Sequence, residues 1–151
     1  MVSAVELNIQ PLYKRELAVY VQLLSELGEE NPISLEEAET LFEKISNYPF
    51  YHIYTIKQHD EIIGSFTLIV IDNFAHGGLK FGVLENVVVH PDMQRMGIGK
   101  FMMQQALHIA KKNGCYKLIL ASNKQRKNAH AFYESLGFQQ HGISYVTELV
   151  E

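Results

Sequence analysis

The chain has 151 residues, 47% hydrophobic and 20% charged, which is the size and balance of one ordinary globular domain rather than a disordered or fibrous chain. Its 17 acidic residues outnumber 13 basic ones for a formal charge of −4, with no Lys/Arg block, which argues against a nucleic-acid surface and for small-molecule partners. A single cysteine excludes an internal disulfide, and no apolar run approaches the ~18 residues of a membrane span, so the expected setting is the reducing cytoplasm.

Residues Ala4 to Ile9 alternate Val5, Leu7 and Ile9 with polar residues, the period of a half-buried strand closed by Pro11. From Lys14 to Leu27 the period becomes helical, with Leu17, Tyr20, Val21, Leu24 and Leu27 on one face and Gly28 as the stop. Asn31-Pro32 breaks the chain. Ser34, with Glu37 three residues on, is a capping-box signature for a second helix turning Leu35, Ala38, Leu41, Phe42 and Ile45 inward.

Phe50 to Lys57 and Ile62 to Ile71 are strand-like runs joined by the polar loop 58 to 61, a hairpin. A looser stretch, 72 to 78, precedes a long strand from Leu79 to His90 that contains Val87, Val88 and Val89. Gln94-Arg95-Met96-Gly97-Ile98-Gly99-Lys100 then opens a helix running to Asn113, with Gly114 as its stop. Such a strand, glycine loop and helix form an anion site, because free N–H groups at a helix N-terminus carry about half a positive charge and glycines let a phosphate approach.

Lys117 to Ala121 reads as a short strand buried on both faces, Asn128 as the cap of a last helix over Ala129 to Leu136, and Gln139 to Val150 as one or two closing strands. The order β, α, α, β, β, β, α, β, α, β is α+β, a mixed sheet with a parallel crossover through the helix at 98 to 113. No repeat or linker divides it, so residues 1 to 151 are expected to form one domain.

Residues 129 to 138 hold Ala129, Ala131, Phe132, Tyr133, Glu134, Leu136, Gly137 and Phe138. Together with Val87-Val88-Val89-His90-Pro91 and the loop Gln94 to Lys100, this resembles the GNAT superfamily of acetyl-CoA-dependent N-acetyltransferases, as a small single-domain bacterial-type member. The resemblance implies the GNAT fold, a central mixed, mostly antiparallel sheet of about six or seven strands flanked by about four helices. It also implies acetyl-CoA as cosubstrate, no metal, and direct transfer to a primary amine in a ternary complex.

By the same resemblance, the backbone of Gln94, Arg95, Met96, Gly97, Ile98, Gly99 and Lys100 holds the pyrophosphate. Val87, Val88 and Val89 lie on a bulged strand beside the pantetheine arm, with the N–H of Val88 as the oxyanion donor. Tyr133 protonates the departing thiolate, since a phenol of pKa ~10 can donate to a thiolate whose acid is near ~8.5. Its other reading is a helix-face aromatic packed beside Phe132 and Phe138.

A Lys-like amine is only about one part in two thousand neutral at pH 7, and Glu85 is the candidate base, directly or through water. The alternative for Glu85 is a solvated or ion-paired strand carboxylate. Many relatives carry Asn seven residues before the tyrosine; here that position is Arg126, and Asn128 follows as a cap or a cofactor contact.

Cys115 reads as a small buried hydrophobe, and the seven histidines, His76 and His130 among them, show no ligand spacing. Glu26, Glu29, Glu30, Glu36, Glu37 and Glu39 lie around the first two helices, either as a solvated rim or as an attraction for a cationic acceptor. The Gly142 to Tyr145 stretch resembles small-molecule members of the family, including those acting on aminophosphonates or amino sugars. Protein N-terminal or lysine acetylation, and a noncatalytic acyl-CoA-binding regulatory module, are the rival functions. Dimerisation, common in the family, is an expectation only.

Overall fold

Two hydrophobic periods, two along strands and 3.6 along helices, divide the chain between a sheet and the helices that cover it. The computed structural model describes residues 6–28 and 32–150. Strand β1 is Leu7–Pro11, α1 Leu17–Leu24, α2 Leu35–Ile45, β2 Tyr51–Gln58, β3 Glu61–Ile71, β4 Lys80–Val89, α3 Ile98–Lys112, β5 Cys115–Ile119 and α4 Lys127–Ser135. Ala4 and Val5 of the first expected strand, and Glu29, Glu30 and Asn31, lie outside the described residues.

The strands form one sheet in the order β1-β2-β3-β4-β5, antiparallel except for the parallel β4–β5 pair that α3 connects. Two residues, His59 and Asp60, turn the β2–β3 hairpin with φ of 51° and 65°, the primed turn whose twist suits the strands. Proline at the end of β1 is tolerated because β1 is an edge strand.

Each face of the sheet has its own helical cover. Gly64, Phe66, Leu68 and Val70 share one face of β3 by alternation, and Gly64 looks directly onto Met102 and Ile98 of α3. Phe66, Leu68, Leu84, Ile98, Met102, Met103 and Ala106 are buried there to within 2%. On the other face Ile53 packs against Leu12, Leu17 and Tyr20, which brings in α1. Helix α2 starts at Ser34, whose hydroxyl oxygen accepts the Glu37 N–H at 3.1 Å. Only Ala38 of its expected inward stripe is buried; Leu35 and Leu41 are exposed.

A paired charge locks the first strand to its neighbours. Lys57 Nζ donates to Glu16 at 2.6 Å and to Gln10 Oε1 at 2.8 Å beneath the Tyr13 ring, with Lys57 and Glu16 side chains 8% and 12% exposed. No described helix is long and apolar enough to cross a membrane.

Met1–Leu120 and Ala121–Glu151 form two compact units. The first contains the whole sheet and α1 to α3; the second contains α4 and the residues after it. Three expectations change. Strand β5 begins two residues earlier than expected and, as an edge strand, is half-buried rather than covered on both faces. Helix α4 starts at Lys127 with Arg126 at the cap, so Asn128 sits inside the first turn and caps nothing. Residues 139 to 150 form no strand, leaving five strands among the described residues instead of six or seven. A strand exists only through ladder partners, and among the described residues this segment has none.

Candidate active site

The β3–β4 ladder is interrupted where the functional residues were expected. Ser65 pairs with Val88 and Thr67 with Glu85, so β4 spends three residues where β3 spends two. The extra residue falls at Asn86, which adopts φ 52°. This is a β-bulge whose extra residue takes the left-handed conformation that asparagine tolerates better than most side chains.

On its other side β4 pairs with β5 only as far as Val83 with Ile119. From Leu84 to Val89 that edge is open among the described residues. His90 N–H donates to Ile63 C=O at 2.8 Å, toward β3. Amide direction alternates along a strand, so Val88 N–H also points to β3 and is used by the ladder, whereas Val87 and Val89 face the open edge. The Val89 carbonyl, on that edge, accepts from Gln94 Nε2 at 3.3 Å. Of the three valines, only Val87 and Val89 thus turn their N–H groups to the open edge. The Val88 side chain is 5% exposed and belongs to the core.

The glycine loop is built locally. Pro91 opens a short turn whose Met93 N–H donates to His90 C=O, while the His90 ring accepts Asp92 N–H at 3.1 Å. Arg95 then takes φ 65° and Gly97 φ 83° at the N-cap of α3. No side chain caps α3, and its first closed turn is Phe101 N–H to Gly97 C=O at 3.1 Å. The amides of Ile98, Gly99 and Lys100 are left for a ligand, as at any uncapped helix start. A Cβ on Gly97 would meet no heavy atom within 4 Å, so the approach to these amides is clear. Uncapped amides, an open glycine and a bare strand edge are the donor set that a pyrophosphate and an amide-bearing arm require, and acetyl-CoA carries both. Arg95 and Lys100 are exposed cations beside them.

Glu85 is exposed on β4 and makes no hydrogen bond or ion pair among the described residues. Thr67, its partner across the ladder, has a buried hydroxyl with no partner among those residues. Phe81, Val83 and Glu85 alternate onto one face of β4, and Lys117 Nζ of β5 lies 5.6 Å over the Phe81 ring and 5.2 Å over that of Tyr116. Sequence reasoning passed over Lys117, because nothing local distinguishes it from any strand lysine. Its place beside Phe81 depends on parallel pairing with β4.

In the second unit, Tyr133 is half-buried on α4 between Phe132 at 5.4 Å and Phe138 at 5.8 Å, the latter edge-on. Burial pushes its phenol above the ordinary tyrosine range, opposed by the Arg126 charge. Its hydroxyl has no hydrogen-bond partner among the described residues. Asn123 organises the approach to α4: its Oδ1 accepts Gln125 N–H at 2.9 Å and its C=O accepts Arg126 N–H at 3.0 Å and meets His130 Nε2 at 2.8 Å. Asn128 is exposed. The Cys115 thiol, also half-buried, is pushed up by burial, with Lys80 opposing, which makes it a poor nucleophile.

This architecture has close counterparts. The chain is 32% identical over 146 residues to a glucosamine 6-phosphate N-acetyltransferase of Trypanosoma brucei brucei, covering 93% of this chain and 95% of the relative. Its fold matches the crystal structure of glucosamine-6-phosphate N-acetyltransferase from Arabidopsis thaliana with a TM-score of 0.85 at 24% identity, covering 95% of this chain and 99% of that one. It also matches a putative acetyltransferase from Agrobacterium tumefaciens with a TM-score of 0.88 at 23% identity, covering 93% and 99%. The profile of the acetyltransferase (GNAT) family spans residues 18–138, taking in the bulged strand, the glycine loop and the tyrosine helix alike. Agreement over that span, together with the long curated match, means that the chain belongs to the GNAT family and is an acetyl-CoA-dependent N-acetyltransferase.

Proposed function

We propose that the chain acetylates the primary amine of a small amino sugar phosphate, of the glucosamine 6-phosphate type, by direct transfer in a ternary complex. The observation that carries this reading is the pair of opposite charges on one sheet face, the unpaired Glu85 carboxylate on β4 and the Lys117 ammonium beside Phe81. A carboxylate suits the acceptor's ammonium group and a lysine suits its phosphate. The name of the Trypanosoma relative, which aligns over nearly the whole of both chains, supports the same substrate class.

Acetyl-CoA supplies the activated thioester. The amides of Ile98, Gly99 and Lys100 hold its pyrophosphate, with Gln94, Arg95 and Met96 shaping the loop, and Val89 orients the arm. Val87 N–H stabilises negative charge on the acetyl oxygen, a role worth about 10²–10³ in rate for a well-placed donor. Glu85 accepts the amine proton, directly or through water. Tyr133, kept protonated by its burial, donates to the departing sulfur. Asn128 is a further cofactor contact, and the reaction runs in the cytoplasm.

A homodimer belongs to this reading. Ile143, Tyr145, Val146, Leu149 and Val150 are 74 to 89% exposed, an apolar segment that a second copy would cover. Light scattering tests it; a monomer at all concentrations refutes it.

The function is tested by thiol release from acetyl-CoA over a panel of amines. Turnover should be highest with glucosamine 6-phosphate and much lower with glucosamine or a lysine peptide. Lys117→Met should raise KM for the phosphorylated amine alone. Tyr133→Phe should lower kcat with little change in the KM for acetyl-CoA. Tight CoA binding without turnover on any amine would establish the regulatory module instead, and preferred turnover of peptides would establish a protein acetyltransferase.

A further inference from the structure

The register of the sheet brings one more residue toward Glu85. Tyr51 of β2 pairs with Ile69 and Ile69 with Val83, while Ile53 pairs with Thr67 and Thr67 with Glu85. Residues two apart on a strand share a face, so Tyr51 and Glu85 stand on the same side. They occupy a diagonal of two strands and two residues, on the order of 12 Å between Cα atoms at ~4.8 Å per strand and ~3.3 Å per residue. Both side chains rise from that face, with Ile69 and Thr67 of β3 between their strands.

The surroundings of these two residues point to an ammonium group. Glu85 has no counter-charge among the described residues, and the neighbours on this face are the apolar Ile69 and Val83 and the unpartnered hydroxyl of Thr67. The Tyr51 ring is held edge-on by Tyr48 at 6.2 Å between centroids. Burial holds the Tyr51 phenol above its usual range, and the charge of Glu85 adds to this, so the field of the carboxylate reaches the ring. A carboxylate and an aromatic ring on one sheet face bind ammonium through charge from the first and cation–π attraction from the second.

We infer that Tyr51 is a specificity-determining residue for the acceptor, forming with Glu85 the subsite that receives its ammonium group before proton loss. The inference rests on the amine-acetyltransferase reading above and deepens it. Tyr51 contributes through its ring face, so phenylalanine replaces it and an aliphatic side chain does not.

The test is calorimetric binding to the full chain in the presence of CoA, for wild type, Tyr51→Leu and Tyr51→Phe, with melting curves to show that each variant folds. Glucosamine 6-phosphate, its N-acetylated product and spermidine are the probes. Tyr51→Leu should weaken the amine about tenfold and Tyr51→Phe should bind it like wild type. The product, which keeps the phosphate but lacks the ammonium charge, should bind all three proteins alike, an outcome that a packing role would not give. Unchanged amine affinity in Tyr51→Leu, or equal weakening of amine and product, overturns the inference. If wild type binds spermidine but not the sugar phosphate, the sugar-phosphate reading fails and the same comparison on spermidine decides Tyr51. A wild type that binds no amine overturns both.

Discussion

Replacing Gly97 by alanine separates backbone strain from ligand exclusion, because the chain contains a matched control. Gly97 and Gly114 both have φ 83°, and at both a Cβ would meet no heavy atom within 4 Å. The folded-state cost of either substitution is therefore the left-handed conformation itself, about 1 kcal/mol, or a fall in Tm of about 2–4 °C for a chain of this size. Gly97 stands over the amides of Ile98, Gly99 and Lys100 at the start of α3, whereas Gly114 follows the helix's other end. A methyl group at 97 keeps a phosphate from those amides. Losing one charge-assisted hydrogen bond costs about 1.5–3 kcal/mol, at least tenfold in affinity. Gly97→Ala should raise the KM for acetyl-CoA and the Kd for CoA at least tenfold, and Gly114→Ala should leave both within about twofold, with equal falls in Tm. Equal, small effects on CoA binding in the two variants would refute the assignment of this loop to the pyrophosphate.

Three stability measurements follow from the packing. Glu16→Ala leaves the Lys57 ammonium buried without its carboxylate, which should cost about 3 kcal/mol, or about 10 °C in a thermal melt; the double variant Lys57→Met, Glu16→Leu should recover most of it. Gly64→Ala puts a Cβ 2.8 Å from Met102 Sδ and 3.3 Å from the Val88 carbonyl, and urea titration should show a loss of about 1–3 kcal/mol from overpacking against α3. Tyr51, Tyr54, Tyr133 and Cys115 all hold their protons more tightly folded than unfolded. The unfolded chain therefore releases protons first as pH rises, and stability should fall from about pH 8.5 upward through the tyrosine range. A melting temperature that climbs between pH 9 and 11 would contradict this, the window being set by those ~8.5 and ~10 reference values.

Much of this architecture is local and was legible as such. A serine hydroxyl three residues before Glu37 caps α2, and glycines in left-handed conformation start α3 and follow its end. Each is a signal contained in one turn of chain, so a short window is enough to read it. The misplaced cap of α4 shows the limit of such signals. Asn128 is a good cap by type, yet the turn built by Asn123 starts the helix earlier, at Lys127. Leu35 and Leu41 had the right spacing to be core, and only the position of the neighbouring elements leaves them exposed.

The amino-acid sequence by itself determined the kind of loop: a valine strand, a glycine turn and a helix start in immediate succession. These residues are contiguous, and their chemistry follows from local backbone geometry. Tertiary structure alone decided which groups of that site face outward. The bulge at Asn86 and the early end of β4–β5 pairing turn the amides of Val87 and Val89 to the open edge and keep that of Val88 in the ladder. Register across β2, β3, β4 and β5 likewise brings Tyr51 and Lys117 to the face that carries Glu85. A strand's neighbours are set by hydrogen bonds between residues far apart in the chain, and a shift of one residue reverses every face; no short stretch of sequence holds that information.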